Sequence, residues 1–251
     1  MAARPQKFGL IADLHANLPA LTAVIQRLRT EGVQQILCLG DIVGYYAQPR
    51  EVVDLISREK AVSICGNHDR YVTGTTPMDS SIRSDTIQVI QWTVRHLAPG
   101  QLQYLRGLPL SRRVGDSILM VHGSPRHEDE YILTPDLVAM NLRFLGRHHP
   151  GIEVCFFGHS HLPVYATKGY IQMQFSGGEK LRLRRHQAHL INPGSVGQPR
   201  DGDPRAACAI YDAAKSEVQF LRIDYDYKKT QQKADAAGFS SRLAERLEYG
   251  R

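Results

Sequence analysis

Seven residues able to hold divalent cations recur along this sequence: Asp13 and His15, Asp41, Asn67, His122, and His159 with His161. Each stands at the end of a short apolar run. Carboxylate, imidazole and one amide oxygen, with no thiolate, suit borderline-to-hard metals such as Mn, Fe, Co, Ni or Zn. A single Asp or His after a strand is ordinarily a cap or a surface residue. Such residues at the ends of five successive strands do not fit that reading and point to a metal centre. Two cations about 3.5–4 Å apart can clamp the attacking and leaving oxygens of an in-line phosphoryl displacement, and one carboxylate has to bridge them. Gly40, Gly66, Gly123 and Gly158 flank the series and allow the tight turns that aim side chains back at a metal.

The elements that must carry these residues follow from hydrophobic periodicity. Residues 8–13 read as a buried strand. Leu18, Leu21, Val24, Ile25 and Leu28 then mark one face of a helix that Gly32 stops. A strand at 35–39, a helix opened by Pro49 with Val52, Val53 and Ile56, and a strand at 61–65 complete a β-α-β-α-β series. That alternation predicts an α/β layered fold with a parallel sheet at its centre. The carboxyl ends of such strands face one crevice, where Asp13, His15, Asp41 and the Asn67–His68–Asp69 run would meet.

Further on, residues 84–97 and 101–105 read as helices parted by Pro99-Gly100, and strands at 111–114 and 117–121 turn at Gly115-Asp116. Thr134 and Pro135 open a helix over 137–145. Strands are then expected at 154–157, 164–167, 170–175, 180–191, 206–212 and 218–223, with Gly177-Gly178 as a hairpin turn. One amphipathic helix over 228–247 closes the chain. Repeats and linkers are absent, so residues 1–251 read as a single domain.

Composition narrows the class. Of 251 residues, 42% are hydrophobic and 22% charged, as in a globular protein with a full core. The polar start at residues 1–7 and the brief apolar run after it make neither a signal peptide nor a membrane span. Cys38, Cys65, Cys155 and Cys208 sit singly in apolar runs and read as buried thiols of a reducing compartment, the cytoplasm. A net charge of +6 favours anionic partners, yet no long basic arm is present, which argues against nucleic acid.

Taken together, Asp13-x-His15, Gly40-Asp41, Gly66-Asn67-His68-Asp69, His122 and Gly158-His159-x-His161 resemble the calcineurin-like metallophosphoesterase superfamily. The segments Gly40-Asp-Ile-Val-Gly-Tyr, His122-Gly-Ser-Pro and Asn192-Pro-Gly-Ser-Val-Gly-Gln-Pro-Arg200 are similar to its small bacterial and archaeal phosphodiesterase, or diadenosine-tetraphosphatase-like, branch. The resemblance implies a four-layer α-β-β-α sandwich of two mixed β-sheets flanked by helices. It implies two divalent metal ions, one on Asp13, His15 and His161 and one on Asn67, His122 and His159, bridged by Asp41. His68 would be the proton donor to the leaving group, oriented by Asp69. The implied reaction is hydrolysis of a phosphate ester by hydroxide activated between the metals. Alternatives are a dinucleoside polyphosphate hydrolase and a non-catalytic scaffold, and the intact ligand set argues against the scaffold.

Substrate contacts are less constrained by the sequence. Arg200, beyond the 192–197 loop, suits a phosphate clamp or a structural ion pair. Tyr45 and Tyr46 offer rings to a nucleobase, and Tyr46 departs from the glycine of many relatives. The arginines at 182, 184 and 185 would line the cleft of a polyphosphate enzyme. His96, His127, His148, His149, His186 and His189 lack ligand spacing and read as surface or core residues. The expected substrate is a small organic phosphate or nucleotide. The closing helix packs on the domain or on a second copy rather than on a membrane.

Overall fold

The computed structural model describes residues 6–80 and 82–251, so the start of the polar N-terminal stretch lies outside it. The first third builds as its periodicity demands. β1 (Lys7–Ile11), α1 (Leu18–Thr30), β2 (Gln35–Cys38), α2 (Pro49–Arg58) and β3 (Val62–Ser63) follow in turn. Pro19 and Pro49 sit in the first turns of their helices, where a missing N–H costs nothing, and the Asn17 side chain caps α1 by accepting from the Ala20 N–H. A short α3 (Asn67–Thr73), α4 (Ser84–His96) and α5 (Pro99–Arg106) come next, then the hairpin of β4 (Ser111–Val114) and β5 (Ile118–Val121). After α6 (Pro135–His148) come β6 (Val154–Phe156), β7 (Pro163–Thr167), β8 (Tyr170–Gln172), β9 (Lys180–Arg182), β10 (His189–Pro193), β11 (Ala206–Asp212) and β12 (Glu217–Ile223). The described chain closes with α7 (Tyr227–Ala236) and α8 (Ser241–Tyr249).

The strands form two six-stranded mixed sheets, ordered β3-β2-β1-β11-β12-β9 and β4-β5-β6-β10-β7-β8. Strand alternation sorts the side chains into layers. Phe8 and Leu10 of β1, Met120 of β5, Phe156 of β6 and Phe220 of β12 fill a core shared by both sheets. Ile11, Cys38 and Cys208 on the far face of the first sheet pack against Val24, Ile25 and Leu28 of α1 and Ile56 of α2. Leu119, Val121 and Phe157 on the far face of the second pack against Val138 and Leu145 of α6. This is the expected four-layer α-β-β-α sandwich.

Four local expectations need correction. The strand expected over 180–191 is two strands in different sheets: β9 pairs with β12 and β10 with β6 and β7. The apolar alternation runs through Leu183, but His186 adopts a left-handed φ of 58° and the chain crosses to the other sheet. Gly177-Gly178 is therefore no hairpin turn, since β8 pairs with β7 and not with β9. The closing helix breaks at Gly238, whose φ of 74° a helix cannot continue. α8 then buries Leu243 and Leu247 against Tyr46, Ala16 and Phe239 of the same chain. Finally, α3 begins within the Gly66–Asp69 run itself, a helix that hydrophobic periodicity did not mark. Among the described residues, no helix is long and apolar enough to cross a membrane. All four cysteines are free and buried.

Topology also sorts residues by distance from the strand ends. β1 leads into Asp13 from Ile11; β11 runs back with Asp212 opposite Lys7, and β12 returns with Glu217 opposite Asp212. Arg182 pairs with Glu217, so it lies at the end of the sheet remote from Asp13.

Candidate metal centre

Backbone geometry marks five of the site residues. Asp13, His15, Asp41, His159 and His161 have φ values of 54°, 48°, 53°, 66° and 58°. The left-handed region costs a residue with a Cβ about 1–3 kcal/mol, and such strain gathers where a function requires the geometry. All five follow strands, and hydrogen bonds hold the turns. The Asp13 N–H donates to the Gly40 carbonyl at 3.1 Å and the His15 N–H to the Asp41 carbonyl at 2.9 Å. The loop after β10 locks the first turn from the other sheet. There the Ser195 hydroxyl and the Gly197 N–H both donate to the Asp13 carbonyl, each at 2.9 Å. Two glycines are required by close approach: a Cβ on Gly66 would lie 2.1 Å from Asp41 Oδ1, and one on Gly44 2.4 Å from His68 Nδ1.

These turns gather all seven residues expected as ligands. Asp13, His15, Asp41 and His161 form one group of close ligand atoms, and Asp41, His122 and His159 a second. Asp41 Oδ2 lies 3.7 Å from His15 Nε2 and 3.5 Å from His122 Nε2, so one carboxylate belongs to both. Asn67 Oδ1 joins the second group, 3.1 Å from His122 Nε2. Except for Asn67, at 8%, each of the seven is no more than 3% exposed.

The donors fit cations. His122 Nδ1 donates to the Leu39 carbonyl at 2.7 Å and His161 Nδ1 to the Gln198 carbonyl at 2.6 Å. Each bond turns the Nε2 lone pair inward, as backbone carbonyls do for metal-binding histidines. His122 Nε2 then faces the Asn67 and Asp41 oxygens, and His161 Nε2 faces His15 Nε2 at 3.1 Å. Ring nitrogens and oxygens thus converge, and either a shared proton or a cation has to lie between them. Asp13 Oδ2 and His159 Nε2 are buried without a hydrogen-bond partner among the described residues.

Electrostatics agree for three of the four histidines. Burial holds His15 and His161 well below the ordinary imidazole range and His159 down at about 3, so all three are neutral, the form that binds metal. Burial pushes Asp13 up to about 7, against the pull of His122. Burial would raise Asp41 too, but His122 and His68 overcome it and hold its carboxylate well below the usual range. Burial disfavours charging His122, yet Asp41 outweighs it and lifts the group to about 9, so a proton there answers the Asp41 carboxylate and a cation would have to displace it.

Asp69 departs from expectation. The Asp69 carboxylate does not orient His68. As the third residue of α3 it reaches back, accepting from the Gly66 N–H at 3.0 Å and the Val43 N–H at 3.1 Å. His68 lies beside the centre, its ring centroid 4.8 Å from that of His15, its Nδ1 unpartnered, and its backbone N–H donating to Asp41 Oδ1 at 2.8 Å.

Of the aromatic candidates, Tyr46 is not at the site. It is fully buried against α8, its hydroxyl donating to the Leu243 carbonyl at 3.2 Å and accepting from Gln198 Nε2 at 3.0 Å. Its ring offers no face to a ligand. Tyr45 does border the centre, 4.4 Å from the rings of both His15 and His68. Arg200 Nη2 donates to the Tyr45 hydroxyl at 3.2 Å and to Gln198 Oε1 at 3.1 Å. Among the described residues no carboxylate pairs with Arg200, so it is not a structural ion pair. The arginines at 182–185 stand at the remote sheet end and cannot line this cleft.

Sequence reasoning missed Tyr131. Its ring stacks on that of His159, centroids 3.8 Å apart and planes 30° apart, and 43% of the residue is exposed. It sits in the β5–α6 loop, where no periodicity marks it.

Comparison with known proteins places this arrangement. A calcineurin-like phosphoesterase superfamily domain matches residues 7–216. An uncharacterized protein of Methanocaldococcus jannaschii is 35% identical over 248 residues, covering 97% of this chain and 98% of its own. The crystal structure of a metallophosphoesterase from Sphaerobacter thermophilus is 36% identical, with a TM-score of 0.85 over 99% of this chain and 100% of that one. A hypothetical protein from Pyrococcus horikoshii shares the fold at 23% identity, with a TM-score of 0.80 over 98% of both chains. The chain thus belongs to the calcineurin-like phosphoesterase superfamily.

Proposed function

We propose that the protein hydrolyses a phosphate ester with two divalent cations, one held by Asp13, His15 and His161 and the other by Asn67, His122 and His159. The observation that carries this reading is the position of Asp41, within 3.7 Å of a nitrogen in each group and therefore able to bridge them. When bound, such a pair lowers the pKa of water and neutralises phosphoryl oxygens.

The chain's own residues supply the rest. The His68 N–H fixes Asp41 Oδ1, leaving Oδ2 to face both imidazoles. The His68 ring, beside the centre with its Nδ1 unpartnered among the described residues, serves as proton donor to the leaving oxygen. Arg200 holds the phosphoryl group. Its present partners are the neutral phenols of Tyr45 and Tyr131 and a neutral amide, which a charged phosphate displaces readily because charge-assisted hydrogen bonds are about twice as strong. A dinucleoside polyphosphate would need further cations along the cleft, and the arginines at 182–185 are too remote to supply them. The complete ligand set argues against a scaffold that has lost catalysis.

The substrate class is a small organic phosphate, and the four buried thiols fit a reducing, cytoplasmic setting. We treat residues 1–251 as one catalytic unit, since α8 supplies the carbonyl that anchors Tyr46. The test is reconstitution with Mn, Fe, Co, Ni or Zn, elemental analysis, and a screen of monoesters, diesters and dinucleoside polyphosphates with product identification. Two equivalents of metal and turnover of an ester are expected. One equivalent or none, or no turnover with both metals bound, overturns the proposal.

A further inference from the structure

Among the described residues, Tyr131 is the most exposed aromatic side chain at the site; Tyr71, beside His68, is half-buried. Tyr46 is buried and Tyr45 is partly covered by His15 and His68. One face of the Tyr131 ring lies on the imidazole of His159, and the residue is open to solvent beyond it. A close, tilted contact with the buried His159 ring fixes the Tyr131 ring at the edge of the metal centre.

The loop beneath it is built to hold that position. Glu130, the preceding residue, accepts from the Ser124 hydroxyl at 2.5 Å and from Asn141 Nδ2 of α6 at 3.0 Å, and pairs with Arg126 at 3.3 Å. Asp129 pairs with Arg70 of α3, the helix that carries Asn67 and His68. A Cβ on Gly123 would lie 2.5 Å from the Glu128 carbonyl, so this loop packs closely on the residue after His122. An exposed aromatic anchored at this cost is pre-organised for a ligand; solvent alone does not require it.

We propose that Tyr131 is a specificity residue whose ring stacks on a planar organic group of the substrate, so that the preferred esters carry an aromatic moiety such as a nucleobase. This rests on the phosphoesterase reading above. Arg200 and the cations take the phosphoryl group, which all phosphate esters share, and Tyr131 reads what is attached to it. Stacking is indifferent to which base is presented, because every base has a π-face.

The test compares a nucleoside 5′-monophosphate with ribose 5-phosphate, which share a leaving oxygen and differ in the base. Both kcat/KM and calorimetric affinity for the metal-loaded protein are measured, in wild type, Tyr131→Phe and Tyr131→Leu, with metal content determined in each. Wild type should prefer the nucleotide. The nucleotide-to-ribose-phosphate ratio should fall about 5- to 150-fold in Tyr131→Leu, the worth of one base–aromatic stack, and be kept in Tyr131→Phe. An unchanged ratio in Tyr131→Leu, or a loss equal for both ligands, overturns the proposal. If neither monoester is turned over, the hydrolase reading is still decided by the wider ester screen above, and the affinity ratio alone decides the role of Tyr131.

Discussion

Asp69 directly follows His68, yet its carboxylate turns away from the imidazole and holds the Gly66 and Val43 N–H groups. It acts on the loops around Asp41, so a histidine–aspartate proton relay is not what these residues form. Asp69→Ala should cost about 1–3 kcal/mol of stability, because two buried donors lose their acceptor. Its remaining activity should be lost equally on esters with good and poor leaving groups. His68→Ala should behave oppositely, keeping its metals and losing about 10²–10⁴-fold in rate on a poor alkoxide leaving group but far less on p-nitrophenolate. Thermal unfolding with kcat on paired esters separates the two, and a leaving-group dependence in Asp69→Ala would restore the relay.

Removing the shared carboxylate tests the bridge. Asp41→Ala should lower occupancy of both metals after dialysis, whereas His161→Ala should chiefly empty one. Elemental analysis checks this, and full retention of both metals without Asp41 would refute its place between them.

Arg200, partnered by neutral groups, should matter to catalysis more than to folding. Arg200→Ala should lower kcat/KM by about 10- to 150-fold, the worth of about 1.5–3 kcal/mol for a hydrogen bond to a charged group. Arg200→Lys should recover part of that, since an ammonium keeps the charge but not the fork. Steady-state kinetics decide it; unchanged kcat/KM in Arg200→Ala would return the residue to a packing role.

The thiols give a prediction in pH. Burial pushes Cys38 and Cys208 up from the ordinary 9.0 to about 12 and raises Cys65 and Cys155 also. Folding therefore keeps the thiols neutral while the unfolded chain ionises first. That contribution to stability is complete below pH 9. As pH rises from there towards 12 it is lost, at about 1.4 kcal/mol per pH unit for each thiol. At pH 8 the native protein should leave a disulfide reagent unreacted, and denatured protein should consume four equivalents. Rapid labelling of the native state would contradict the burial described.

Much of this was legible in the sequence where a residue's role depends on local pattern. Asp13, His15, Asp41 and the 159–161 pair are marked by apolar runs that end in them, and a strand end fixes where a side chain goes. Roles set by distant partners were not legible. Leu181 and Leu183 alternate like one continuing strand, and only pairing with β12 on one side and β6 on the other shows the break at His186. Tyr45 and Tyr46 are neighbours of one type, but α8, almost 200 residues on, buries Tyr46 and leaves Tyr45 at the site. The resemblance implied Asp69 as the partner of His68, and helix geometry aims it elsewhere. Tyr131 depends on a stack with a residue 28 positions away.

The ligand groups straddle the seam between the two sheets: Asp13, His15, Asp41 and Asn67 come from one, and His122, His159 and His161 from the other. The thickness of the inner core is therefore also the calliper that sets how far apart the two halves of the centre stand. A substitution such as Phe156→Leu, buried between the sheets with no contact to any ligand implied, lets the layers settle and so detunes the centre from below. Cores of this kind are constrained twice, by packing and by the chemistry they gauge, and their tolerance to change should be narrower than that of the outer layers under α1 or α6.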